Sequence, residues 1–294
     1  MKLKLDIMIE EEQQRMTMEL EKYLKSLSMP KRLQESTMYS VNAGGKRLRP
    51  LLMKLAAKGL NGNEERVYPA ALALEMVHTY SLIHDDLPAM DDDMYRRGQL
   101  TNHKQFDEAT AILAGDGLLT NSFHVITSNS QYTDEEKVFL IHRLSKASGL
   151  EGMVAGQLMD MEAEDKQVAI EELENIHLLK TGMLLTYALE IGAYLAGAST
   201  EIISKITELG KYVGLIFQIQ DDILDVIGDQ ELLGKTVGSD MENNKTTYPS
   251  LLGLDGAIEH KNRYVKKAKG IIESVHLKET ELDLIIDYLS NRKY

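Results

Sequence analysis

The chain has 294 residues, 43% hydrophobic and 27% charged, enough apolar material for one large domain or two ordinary ones with a sizeable core. Its formal charge of −13 argues against non-specific nucleic-acid binding, which needs Lys and Arg to displace phosphate counterions, so an anionic ligand must be met by local basic clusters or metal ions. Cysteine is absent, which excludes disulfides, thiolate zinc sites and cysteine nucleophiles.

Apolar residues recur at three- and four-residue spacing almost everywhere and clean alternation is nearly absent, which points to an all-α class. The opening MKLKLDIMIEEEQQ meets charge too early for a secretory signal, and a helix is expected over 6–27. After AGG at 43–45, Pro50 opens PLLMKLAAKGL and Pro69 opens PAALALEMVHTYSLIHDD, where proline starts a helix well. Further helices are expected over 104–128, 134–161, 171–196 and 201–227, within 254–275, and over 279–291. Two longer polar loops, 88–103 and 228–248, each follow an aspartate cluster, and long loops in compact domains tend to carry function. No uncharged apolar run approaches the ~18 residues of a membrane span; TGMLLTYALEIGAYLAGA is broken by Glu190. The expectation is a single all-α domain over 1–294, of roughly ten helices, located in the cytoplasm without membrane insertion.

The first chemical signal is GGKRLRP at 44–50, which packs Lys46, Arg47 and Arg49 behind two glycines that permit close backbone approach. The helix that Pro50 begins adds an N-terminal dipole favouring an anion. His78 lies two helical turns before Asp85, on the same face. Asp85 and Asp86 end that helix, because Pro88 cannot continue it, and Asp91, Asp92 and Asp93 follow the bend LPAM. Carboxylates at this density either sit solvated in a loop or bind a hard cation, Mg2+ being favoured because it uses one or two carboxylates plus substrate phosphates. Arg96 and Arg97 come next and suit a diphosphate. Lys180 and Thr181 interrupt an apolar run, where a lone lysine ordinarily snorkels. In FQIQDDILDVIGD, Asp221 and Asp225 share a helical face with Gln218 one turn earlier and Asp222 beside them; Lys235 and Lys245 lie in the loop beyond.

In their order and spacing these motifs resemble the trans-isoprenyl diphosphate synthases. The likeness runs from GGKRLRP through HTYSLIHDDLPAMDDD, RRGQ, ILAGDGLL, GMVAGQLMD, KTG and GLIFQIQDDILDV to GKTVGSD and TTYPSLLG. It is closest to the bacterial farnesyl diphosphate synthases, whose first motif reads DDxxxxD, here Asp85, Asp86 and Asp91. The resemblance implies an all-helical fold around a central cavity, usually a homodimer, with three Mg2+ holding an allylic diphosphate. It implies Asp85, Asp86, Asp91, Asp221, Asp222 and Asp225 at the metals, and Arg96, Lys180 and Lys235 at the allylic diphosphate. Lys46, Arg49, His78 and Arg97 match the isopentenyl diphosphate site, and Thr181 and Gln218 the positions near the allylic cation. Tyr80 and Ser81, one turn before Asp85, match the positions that limit chain length, and an aromatic there with the two-residue insertion resembles the farnesyl product class. A longer, geranylgeranyl product is the alternative.

Two departures stand out: Met94 and Tyr95 replace a usual aspartate and leucine, and Ala155 replaces a frequent glycine. Among rivals, His84-Asp85 is similar to the metal pair of HD phosphohydrolases, but that reading leaves GGKRLRP and the second aspartate helix without work. A terpene cyclase needs no second diphosphate site, and a non-catalytic partner subunit would be expected to lose aspartates that this chain keeps.

Overall fold

Helices carry almost every apolar residue, as the spacing requires. The computed structural model describes residues 2–164, 166–227 and 246–292. They fall into two compact units, Met1–Leu51 with Glu65–Ile141, and Leu52–Glu64 with His142–Tyr294.

The first unit contains α1 (Lys2–Ser26), α2 (Lys31–Asn42), the start of α3 (Leu48–Gly59) and α4 (Tyr68–Asp85). A hairpin of β1 (Tyr95–Arg96) and β2 (Gln99–Leu100) follows, then α5 (Asn102–Gln105), α6 (Glu108–Ser128) and the first half of α7 (Asp134–Ser148). Helix α4 is buried on nearly every side, as a helix apolar all round must be, and it packs on α6. Pro50 stands in the first turn of α3 and Pro69 in that of α4, close to the expected starts.

Three expectations change in this unit. The α2 helix was not expected over 31–42, because its buried face uses Ser36, Thr37 and Val41 rather than an aliphatic stripe. Those hydroxyls are satisfied instead of excluded: Ser36 donates to Asn102 Oδ1 (2.8 Å), and Asn102 Nδ2 donates to the Ser36 carbonyl (2.9 Å) and to Ser40 (2.8 Å). The expected helix 104–128 is two helices, since Asp107 caps α6 by accepting the Thr110 N–H (2.7 Å). That bond, with those from Arg32 and the Thr110 hydroxyl, pulls the Asp107 carboxyl down to about 2. The expected loop 88–103 also contains the two-residue-strand hairpin, too short for an alternation signal.

The second unit holds the rest of α3 and α7, then α8 (Met153–Ala163), α9 (Ile170–His177), a π-helical turn at Leu178–Gly182, α10 (Met183–Leu195) and α11 (Thr200–Ile227). After the segment 228–245, which lies outside the described residues, come α12 (Tyr248–Ser274) and α13 (Glu281–Asn291). The expected helix 134–161 breaks between α7 and α8 at Gly149–Gly152, where a Cβ on Gly152 would strike the Ala147 carbonyl. The expected helix 171–196 is interrupted by the π turn. Thr247 and Ser250 form a reciprocal capping box that starts α12 before the expected 254, and Gly253 (φ 70°) kinks it there.

Helix α10 is the apolar run that Glu190 interrupts; Arg143 neutralises that carboxylate (2.7 and 2.9 Å), which makes it a core helix. Among the described residues no helix is long and apolar enough to cross a membrane. Helix α11 crosses α10 and the π turn on small residues, Gly210 facing Thr186 and Gly214 facing Gly182. A Cβ on Gly214 would lie 2.5 Å from the Gly182 Cα, so backbone rather than a yielding side chain must move. Gly214→Ala is expected to cost about 1–3 kcal/mol; an unchanged denaturant midpoint would contradict this close crossing.

Candidate active site

In the first unit the chemistry begins where α4 stops. Asp85 is its last residue and Asp86 its C-cap. Turn bonds from Met90 N–H (2.8 Å) and Asp92 N–H (3.2 Å) to the Leu87 carbonyl fold the Pro88 bend, and the Asp91 N–H returns to the Asp85 carbonyl (2.9 Å). The insertion in the motif therefore brings Asp91 back beside Asp85. Asp91, Asp92 and Asp93 are exposed, whereas Asp86 is buried and accepts from Arg96 Nε (2.6 Å). Burial raises the Asp86 carboxyl even though Arg96 pulls it down.

The hairpin aims the two consecutive arginines differently. Its turn residues, Arg97 and Gly98, both have positive φ (54° and 77°), the type I′ geometry that matches strand twist. Arg96 consequently reaches Asp86, and Arg97 donates to the Gly44 carbonyl. Gly45 allows this: a Cβ there would fall 2.5 Å from Arg97 Nη1. Desolvation of the guanidinium, and then the neighbouring Arg47, lower Arg97 to about 10. Arg47, in the left-handed region (φ 48°), turns inward to donate to Glu75 (2.8 Å) and the Val41 carbonyl. Burial, then Arg49, Arg97, Arg47 and Arg96, hold His78 well below its ordinary value, so it is neutral at pH 7. Burial likewise lowers Arg49, which Glu75 opposes. Tyr39, Arg47, His78, Asp86, Arg96 and Arg97 line one small pocket. Lys46 is half-buried nearby in sequence.

Tyr80 is buried edge-on to His84 (centroids 5.7 Å), and burial with nearby Asp85 pushes its phenol up to about 12. The Ser81 hydroxyl donates to its own helix at the His78 carbonyl (2.9 Å). His84 Nε2 lies 3.1 Å from the Ile112 carbonyl, where it donates in the tautomer that bond requires.

In the second unit the π turn carries Lys180 and Thr181, an extra residue per turn being a frequent device at functional sites. Lys180 donates to Asp160 of α8 (2.6 Å). Gly156, one turn before Asp160, lets the π turn approach, since a Cβ there would collide with the Lys180 backbone N. Gln157, between them, has both amide atoms buried without a hydrogen-bond partner among the described residues. On α11, Gln218 is half-buried and the three aspartates differ. The Asp221 side chain is 37% exposed; Asp222 (6%) accepts the Tyr248 N–H (3.0 Å) at the start of α12; Asp225 is 2% exposed. Lys235 and Lys245 lie outside the described residues.

Within each unit the accessible carboxylates, Asp85 and Asp91 in the first and Asp221 in the second, offer only oxygen donors, the chemistry that suits a hard divalent cation. Among the described residues no three acidic or histidine side chains gather closely enough to hold a metal by themselves. Sequence reasoning assigned no role to Glu75, Asp160, Gln157 or Arg292. The first is a lone acid in an apolar helix, a readable signal; Arg292, which donates to Asp221 (2.5 Å), gives none.

The chain matches the model of the polyprenyl synthetase family over residues 30–288. It is 48% identical over 278 residues to a farnesyl diphosphate synthase of Bacillus subtilis, covering 94% of each chain. An apo structure of an FPP/GFPP synthase from Zymomonas mobilis superposes with a TM-score of 0.86 at 34% identity, over 99% of this chain and 100% of that one. A geranyltransferase from Helicobacter pylori, complexed with magnesium and isoprenyl diphosphate, gives 0.80 at 32% identity over 94% of each. A match of that extent at that identity, on a helical chain with two aspartate sets and a basic pocket, means that this protein belongs to the polyprenyl synthetase family and is a prenyltransferase.

Proposed function

We propose that the chain condenses isopentenyl diphosphate with dimethylallyl and then geranyl diphosphate to give farnesyl diphosphate. The observation that carries this reading is the basic pocket of the first unit, where Arg47, Arg96 and Arg97 line the wall with a neutral His78, on which Arg49 also acts, beside Asp86 of the first aspartate motif. The name and identity of the Bacillus subtilis relative support the fifteen-carbon product over the geranylgeranyl alternative. The whole of 1–294 acts as one synthase domain, as a cytoplasmic homodimer, which its family membership supports.

Members of the family use Mg2+; here three ions are proposed, with Asp85, Asp91 and Asp221 as ligands and Asp86, Asp222 and Asp225 in support. When bound, the metal neutralises the charge that builds on a departing diphosphate. Arg96, Lys180 and Lys235 add positive charge there, so the allylic C–O bond can break. Lys46, Arg49, His78 and Arg97 hold isopentenyl diphosphate, whose double bond attacks the allylic carbon to form the new C–C bond. The proton then lost leaves with the released diphosphate. Thr181 and Gln218 lie near the cation, and buried walls exclude the water that would quench it. A neutral His78 can donate one ring N–H to a diphosphate oxygen without adding a further charge to the arginine cluster.

Purified protein given Mg2+, dimethylallyl diphosphate and labelled isopentenyl diphosphate is expected to yield a fifteen-carbon chain; phosphate release alone would refute the assignment. Asp221→Ala is expected to cut condensation by at least 100-fold, by the loss of a metal ligand, with helical circular dichroism unchanged. Near-normal turnover would remove Asp221 from the metal site. Tyr80→Ala is expected to lengthen the product, and an unchanged product would end its role as the floor of the chain. For His78 the sign follows from its depressed value. The unfolded chain takes up a proton near 6.5 that the folded state refuses, so the contribution is present above 6.5 and lost as pH falls through it. Melting curves between pH 7 and 5 should show wild-type stability falling faster than that of His78→Gln, by up to about 1.4 kcal/mol per pH unit. Parallel curves would contradict a neutral His78.

A further inference from the structure

The residue after α13 returns to the helix that carries the second aspartate set. Arg292 Nη2 donates to the Phe217 carbonyl (3.1 Å) and to a single oxygen, Oδ1, of Asp221 (2.5 Å). Its guanidinium stacks on the Phe217 ring, with Cζ 4.2 Å from the centroid. The arginine side chain is 6% exposed, against 37% for the carboxylate it holds. Its backbone is fixed as firmly. Gln220 Nε2 donates to the Arg292 carbonyl (2.9 Å), and Lys261 of α12 donates to both Gln220 Oε1 and the Ser290 carbonyl (2.6 Å each). These bonds are buried, so the C-terminal end of α13 and Arg292 are anchored to α11 and α12 by groups that would be costly to leave unpaired.

We infer that Arg292 is a positioning residue for the second aspartate set: it fixes the Asp221 carboxylate through one oxygen and leaves the other to a divalent cation. This rests on the reading of Asp221 as a metal ligand. A cation that merely stood in for the metal would have to withdraw when the metal arrives. Arg292 is buried, stacked and anchored through its backbone, the signature of a fixed orienter. Asp221 Oδ2 takes no hydrogen bond from the described residues, and the side chain keeps the exposure a ligand needs. Outer partners of ligating carboxylates hold them in the orientation the metal requires, and losing one costs about 10–100-fold in metal affinity.

The test uses the full-length enzyme, with Mn2+ as the probe in the presence of inorganic diphosphate, binding being read from the electron paramagnetic resonance signal of free Mn2+. Arg292→Gln is expected to weaken Mn2+ by about tenfold. Arg292→Lys should recover part of that loss, because it restores the charge without the planar fork. Asp221→Asn should weaken binding at least as much, and adding Arg292→Gln to it should cost little more. Unchanged Mn2+ affinity in Arg292→Gln with only a lower melting temperature would overturn the proposal and leave Arg292 a structural anchor. Tighter Mn2+ binding would overturn it in the other direction, making the arginine a competitor. Normal Mn2+ binding by Asp221→Asn would instead remove the metal reading on which the inference stands.

Discussion

The basic half of the site depends on one buried ion pair, Arg47 with Glu75. Arg47 adopts a left-handed backbone conformation that a non-glycine residue enters only at a cost, and Glu75 sits in the middle of an otherwise apolar helix. Neither would be tolerated alone, since removing one partner of such a pair leaves a buried charge worth about 3–5 kcal/mol of destabilisation. Together they turn the GGKRLRP loop so that Arg49 and Arg97 approach His78. Four guanidinium groups around one imidazole repel each other, and two carboxylates, Glu75 and Asp86, are what make the cluster possible before any anion arrives. Its residual positive field is the physical basis of the proposed diphosphate site, in a protein whose overall charge is strongly negative.

The aspartates show the complementary logic. A run of five in nine residues looked like a single acidic cluster, but the fold separates it. Asp86 is buried on Arg96, Asp91 is folded back to the Asp85 backbone, and Asp93 touches Arg96 at longer range. The second set divides in the same way, Asp222 being tied to the start of α12 while Asp221 stays accessible. In both sets some carboxylates are held by the scaffold while others stay accessible.

Much of this was legible in the residues because apolar periodicity and motif order are local signals. The helices over 6–27, 69–86 and 201–227, the stop at Asp86 and the bend at Pro88 all follow from them. What was not legible depends on partners distant in sequence. Helix α2 is buried through hydroxyls that need Asn102, 66 positions away from Ser36, so its face looked polar. The hairpin is set by two positive-φ residues, and nothing in YRRGQL announces that Arg97 accepts such a conformation. The grip of Arg292 on Asp221 spans 71 positions and has no periodic trace at all.

The π turn at Leu178–Gly182 has a further consequence, for how this chain can change over time. Such a turn holds one residue more than a regular helix. Deleting one residue there would restore ordinary α geometry, taking up the wide turn while the helices on either side keep their register. The side chains inside the turn would be re-aimed, and the contact of Lys180 with Asp160 would be lost. Substitutions in this stretch can be absorbed one side chain at a time, but a change in its length cannot. The stretch between α9 and α10 is therefore under a constraint of count rather than of composition.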